Sequence, residues 1–189
     1  MLFRSSGTLT QPSALSASSS AGTIACNGGT TSVSVSATGG TTPYTGTGSF
    51  TRGAGAYSYT VTDANGCTAS TSGTITQPSA LSASSSAGTI ACNGGTTTLT
   101  VSASGGTTPY TGTGSYTRSA GAYSYTVTDA NGCTASTSVT ISQPSALAAS
   151  SSAGTIACNG GTTAVIVSAT GGTTPYTGTG SFKIGRAHV

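Results

Sequence analysis

The chain has 189 residues, only 4% of them charged, with 29 glycines, 5 cysteines and a formal net charge of +3. Three of its basic residues, Arg4, Lys183 and Arg186, lie close to the two ends, which leaves Arg52 and Arg118 against Asp63 and Asp129 in the body. A formally neutral body excludes nucleic acid and anionic membrane surfaces as expected partners.

Internal repetition decides the architecture. Ala-Cys-Asn-Gly-Gly-Thr-Thr places Cys26, Cys92 and Cys158 at equal intervals, and Gln-Pro-Ser-Ala-Leu begins at Gln11, Gln77 and Gln143 with the same period. A unit of that length is too long for one turn of a solenoid and suits a small β-sandwich. Residues 7–12 match the last strand of a preceding unit. Residues 13–78 and 79–144 are two full units, and 145–182 is a third that stops before its hairpin. Residues 1–6 and 183–189 can be encoded by opposite strands of one sequencing adapter, so they are set outside fold reasoning. The single histidine, His188, goes with them.

The elements follow in order within the second unit. Ala80 to Ser86 is a Ser-rich first strand anchored by Leu81. Gly88 to Thr96 is a corner holding Ile90, Cys92 and Asn93-Gly94-Gly95. Thr97 to Ala103 alternates Leu99, Val101 and Ala103 with Thr98, Thr100 and Ser102, the period of a strand with one buried face. A short strand begins at Pro109-Tyr110 and breaks at Gly112 and Gly114, and another begins at Tyr116. Tyr123, Tyr125 and Val127 then alternate with Ser124 and Thr126, as Tyr57, Tyr59 and Val61 do in the first unit. Asn131-Gly132, like Asn65-Gly66, offers two left-handed residues for a tight hairpin turn. Thr134 to Ser142 returns with Val139 and Ile141 inward, and Gln143-Pro144 closes the unit. No stretch has helical periodicity. The expected fold is all-β: tandem immunoglobulin-like sandwich repeats, each the length of residues 13–78, with thin cores that include Tyr57, Tyr59, Tyr123 and Tyr125. Gly-Ala-Tyr123 also fits a tyrosine corner, whose hydroxyl bonds back to nearby backbone. In the third unit, Val165, Val167 and Tyr176 are expected to lack the partners that bury their counterparts.

Ala-Thr-Gly-Gly-Thr-Thr-Pro-Tyr at 37–44, Ala-Tyr-Ser-Tyr-Thr-Val-Thr-Asp-Ala-Asn-Gly-Cys at 56–67 and Thr-Ile-Thr-Gln-Pro at 74–78 together resemble the SprB repeat, found in large cell-surface adhesins of gliding and related Bacteroidota. The resemblance covers residues 7–182. It implies export and display on the cell surface, and it assigns no functional residue. The family commonly has an aromatic-rich strand after Pro-Tyr, where this chain has Thr45-Gly46-Thr47-Gly48.

The residues offer little chemistry. Asp63-Ala-Asn65 and Asp129-Ala-Asn131 have the spacing of a calcium loop. Calcium, however, takes six to eight oxygens, and one acid per unit favours a structural turn. Serines are plentiful, but no usable histidine or lysine base accompanies them. No catalytic residue, metal site or cofactor is expected, and the chain is not expected to be an enzyme. Three functions compete: a repetitive stalk that projects an adhesin, a glycan-binding accessory module of a secreted polysaccharide-active protein, and a threonine-ladder surface facing ice or mineral. The near-identity of the units favours the stalk, with neighbouring units, cell-surface components or surface polysaccharide as partners. No membrane insertion is expected for the segment.

The cysteines fall two per full unit with the same spacing in each, which suggests Cys26 with Cys67 and Cys92 with Cys133, leaving Cys158 unpaired. An oxidising exterior permits such bonds. The pairing requires two short strands between Gly40 and Gly55, so that an even number of crossings brings the hairpin turn back to the end that holds Cys26. The other reading is that all are free, interior thiols.

Overall fold

The computed structural model describes residues 10–185, and among them every regular element is a β-strand. Most of the two ends set aside above, residues 1–6 and 186–189 with His188, lies outside the described residues, as do residues 7–9 of the expected first strand. The first repeat holds β1 (Ser16–Ala21), β2 (Thr31–Thr38), β3 (Gly48–Arg52), β4 (Gly55–Thr62) and β5 (Thr68–Ile75). The second repeats them as β6 (Ser82–Ala87), β7 (Thr97–Ser104), β8 (Gly114–Arg118), β9 (Gly121–Thr128) and β10 (Thr134–Ile141). Then follow β11 (Ala148–Ala153), β12 (Thr162–Thr170) and β13 (Gly180–Gly185). The last runs through Lys183 and Ile184, whose backbones pair with Ala164 and Thr163. Among the described residues no helix is long and apolar enough to cross a membrane.

The protein is all-β and sandwich-like. Each full repeat has a three-stranded antiparallel sheet, β1-β2-β3 or β6-β7-β8, and a two-stranded hairpin, β4-β5 or β9-β10. The alternation in β2 explains the layering. Val33 and Val35 point inward and are buried, while Ser34 and Ser36 point out. Ile24, Val33, Val35, Val61 and Ile75 form the core of the first repeat, edged by Ala17, Ala37, Tyr44, Phe50, Tyr57 and Tyr59. Ser19 joins the two layers, its hydroxyl hydrogen-bonded with Thr71 Oγ1 at 2.9 Å and Tyr57 Oη at 3.3 Å. The outward faces carry hydroxyl pairs, Ser18 with Ser36 and Ser32 with Ser49, which explains how so few charges suffice to keep them polar.

One expected strand is reduced to a single bridge. Thr45 pairs with Thr62 and the ladder stops. Gly46 follows at φ 83°, and a Cβ there would drive into the Thr60 carbonyl. A side chain would be strained in that conformation and blocked by backbone. One strand, β3, therefore separates β2 from β4, not two.

Among the described residues, the third repeat has one layer. Its sheet is β11-β12-β13, in the register of the first, with Ser151 opposite Val167 and Ala153 opposite Val165. Val165 and Val167 are half-buried, where their counterparts Val33 and Val35 are 0% and 4% exposed. Ile166 and Phe182 are about half exposed.

The chain divides into two compact units that do not follow the repeats. Among the described residues, the first contains residues 10–82 together with Ser104–Tyr110 and Thr128–Thr134, and the second contains the remainder. One end of the second repeat thus belongs to the first unit.

Candidate functional site

The two ends of the first repeat are built differently. At the entry end, Gly40 N donates to the Ser13 carbonyl at 2.7 Å and Ala64 N to the Thr41 carbonyl at 2.9 Å. This gathers the start of the repeat, the β2–β3 loop and the hairpin turn. At the exit end lies Cys26-Asn27-Gly28-Gly29, closed on itself by Gly29 N donating to the Cys26 carbonyl at 3.0 Å. Gly28 has φ 78°, which a side chain rarely adopts.

Gln77 and Pro78 clamp that loop. Gln77 Oε1 accepts from Gly28 N at 2.8 Å, and the Pro78 carbonyl accepts from Asn27 Nδ2 at 3.0 Å. Gln143 and Pro144 do the same for Gly94 and Asn93 at the same distances. The Gln-Pro pair is therefore a structural clamp as well as a boundary. The signal for it in the sequence is its recurrence 49 to 51 residues after each Asn-Gly.

Asp63 organises the entry end. It is 6% exposed, and its carboxylate accepts from Thr41 N at 2.9 Å, Asn65 N at 3.0 Å and Cys67 N at 2.8 Å. These amides, Thr41 first, hold its pKa below the ordinary value despite the cost of burial. In Asp129, burial pushes the other way most strongly, and the amides of Thr107, Cys133 and Asn131 outweigh it. The spacing that resembles a calcium loop thus serves a turn whose carboxylate oxygens are engaged by backbone. Among the described residues no three His, Cys, Asp or Glu side chains gather.

The turn differs from the expected pair of left-handed residues. Among the described residues no non-glycine residue has a positive φ, so Asn65 and Asn131 are not left-handed, whereas Gly66 is at 84° and Gly132 at 82°. Gly66 N donates to the Asp63 carbonyl at 3.0 Å and Asp63 N to the Cys67 carbonyl at 2.9 Å. This is a three-residue loop with one αL glycine, and the Asp63 side chain does the rest.

The tyrosines are half-buried. Tyr57 and Tyr59 pack against the core, and Arg52 lies over Tyr59 with Nε donating to its hydroxyl at 2.7 Å. Arg118 repeats this with Tyr125 at 2.9 Å. Tyr123 donates to the Ser119 carbonyl at 3.1 Å, as a tyrosine corner would. A more regular latch lies elsewhere. Tyr44, Tyr110 and Tyr176, each in Thr-Pro-Tyr, donate to the carbonyls of Gly39, Gly105 and Gly171 at 2.5–2.6 Å. Its signal in the sequence is the Gly-Gly-Thr-Thr-Pro-Tyr block itself.

The cysteine pairing is corrected. Cys26 is bonded to Cys133, with a Cα separation of 5.7 Å, while Cys67, Cys92 and Cys158 are free and exposed. With β3 alone between β2 and β4, the chain crosses three times from Cys26 to the turn, so Cys67 lies at the opposite end of its repeat. The thiol that reaches Cys26 belongs to the same turn one repeat later. Asn131 Nδ2 and Cys133 Sγ both approach the Ala25 carbonyl, at 2.9 and 3.5 Å. Ala80, Leu81, Gly132 and Thr134 line the rest of the seat that receives Cys26 and Asn27. The site is a covalent joint between successive repeats. No family model matches this chain, and no curated protein matches it.

Proposed function

We propose that the chain is a structural repeat segment of a large secreted cell-surface adhesin, a spacer or stalk in adhesion or gliding motility. The observation that supports this reading is the Cys26–Cys133 bond. A disulfide across a repeat boundary passes tension from one repeat to the next without loading the residues between. Such a bond persists in an oxidising exterior. Near-identical units with repeated clamps supply length rather than distinct binding sites.

Single-molecule pulling between the ends tests the path of the force. In the oxidised chain, the stretch closed by the bond should not contribute to extension. Reduction should release that 107-residue separation, about 370 Å of contour at ~3.5 Å per residue. Full extension before reduction would overturn the role of the bond in carrying tension.

A further inference from the structure

Every asparagine in the chain, Asn27, Asn65, Asn93, Asn131 and Asn159, is followed by glycine. That dipeptide is unusually prone to lose the asparagine amide, because a glycine without Cβ lets its backbone nitrogen reach the preceding side chain. Asn27, Gly28, Asn93 and Gly94 are all exposed to water. A Cβ built on Gly28 or Gly94 would meet nothing within 4 Å. Neither burial nor crowding therefore shields these two sites.

What engages them is the Gln-Pro clamp. Deamidation begins when the Gly28 nitrogen gives up its proton and attacks Cγ of Asn27. The new C–N bond closes a succinimide as the Cγ–Nδ2 bond breaks, and Nδ2 takes up a proton and leaves as ammonia. Water then opens the ring at either carbonyl, to aspartate or to isoaspartate. The clamp holds both reacting groups. Gly28 N donates its proton to Gln77 Oε1 at 2.8 Å, and the departing Nδ2 donates to the Pro78 carbonyl at 3.0 Å. Cγ cannot swing onto the glycine nitrogen until Nδ2 leaves Pro78, and the amide proton is not open to base until Gln77 releases it. Gln143 and Pro144 hold Gly94 and Asn93 in the same way.

We propose that Asn27 and Asn93 are latent deamidation sites, kept silent by Gln77-Pro78 and Gln143-Pro144. The product could not return to the clamp, since a carboxylate oxygen would face the Pro78 carbonyl, acceptor against acceptor. An isoaspartate would also lengthen the backbone of the loop that presents Cys26 to Cys133. The clamp thus guards the covalent integrity of the joint as well as its geometry. The proposal rests on the clamp and not on the stalk reading, so either can fail without the other.

The test follows each asparagine of the full chain by peptide mapping and mass spectrometry during incubation in mildly alkaline buffer. Gln77→Met keeps the side-chain length and removes the acceptor. Asn27 should then deamidate about tenfold faster, the factor for one hydrogen bond of ordinary worth. Asn65 and Asn93 should keep their parent rates. Gln143→Met should quicken Asn93 and leave Asn27 and Asn65 unchanged. Gln77→Glu, which retains an acceptor, should hold Asn27 at the parent rate. Four results would each overturn the proposal: an unchanged Asn27 rate in Gln77→Met, a Gln77→Glu rate as fast as that of Gln77→Met, equal acceleration at Asn27 and Asn65, which is the mark of general unfolding, or a parent chain whose Asn27 reacts as fast as in guanidinium-unfolded protein.

Discussion

Asp63 and Asp129 show how a composition almost without charge uses the charges it has. Each carboxylate holds three backbone amides at a hairpin turn, where an uncharged acceptor would hold them less strongly. Asn-Gly makes the turn legible in the sequence. The organising role of the aspartate two residues earlier is not legible, because a side-chain-to-backbone bond leaves no periodicity. The pKa of both groups is lowered on folding. Their stabilisation is therefore complete above the ordinary value of about 3.8 and lost as pH falls through the lower folded values. The urea midpoint should hold steady from pH 7 to 5 and decline below 4. The Asp63→Asn, Asp129→Asn double variant should start lower at pH 7 and show a flatter decline. An unchanged slope in that variant would assign the acid sensitivity elsewhere.

At the level of strands and sheets, the alternating pattern in β2 and its equivalents is legible because a residue either faces the second layer or faces water. The short strand expected after Pro-Tyr does not form, because Gly46 and Gly112 turn the chain into the left-handed region, at φ 83° and 82°, outside extended strand geometry, and only the fold reveals that turn. The same strand position in different repeats separates burial from sequence. Leu99 is fully buried between two layers, whereas Val165 has one layer behind it. Leu99→Ala should cost ~2–5 kcal/mol. Val165→Ala removes surface that is already half wet and should cost no more than ~1 kcal/mol. Hydrogen exchange should follow the same division, with the amides of β7 protected and those of β12 exchanging early. Equal protection would mean that the third sheet has a cover from another source.

For the whole molecule, repetition makes the cysteine spacing ambiguous. Cys67 and Cys133 occupy identical contexts, so a partner within the repeat and a partner at a separation of 107 fit the same pattern. Counting cannot choose between them. The number of strand crossings can, and it turns on one stretch whose strand does not form. Three crossings put the turn of each repeat at its entry end and the Cys-Asn-Gly-Gly loop at its exit end, so a loop meets the turn of the following repeat and not its own. This gives a sharp expectation for Cys133→Ser. If the ends are fixed by strand count, Cys26 has no second partner within reach, and dilute protein should titrate with four free thiols, one for each remaining cysteine. Loss of the bond should lower stability by ~2–4 kcal/mol, since a long closed loop is released in the unfolded chain. Cys92→Ser, at an exposed free thiol, should leave stability within about 0.5 kcal/mol of the parent. Recovery of a Cys26–Cys67 bond in the Cys133→Ser chain would require an even number of crossings and would overturn the five-stranded repeat along with the joint.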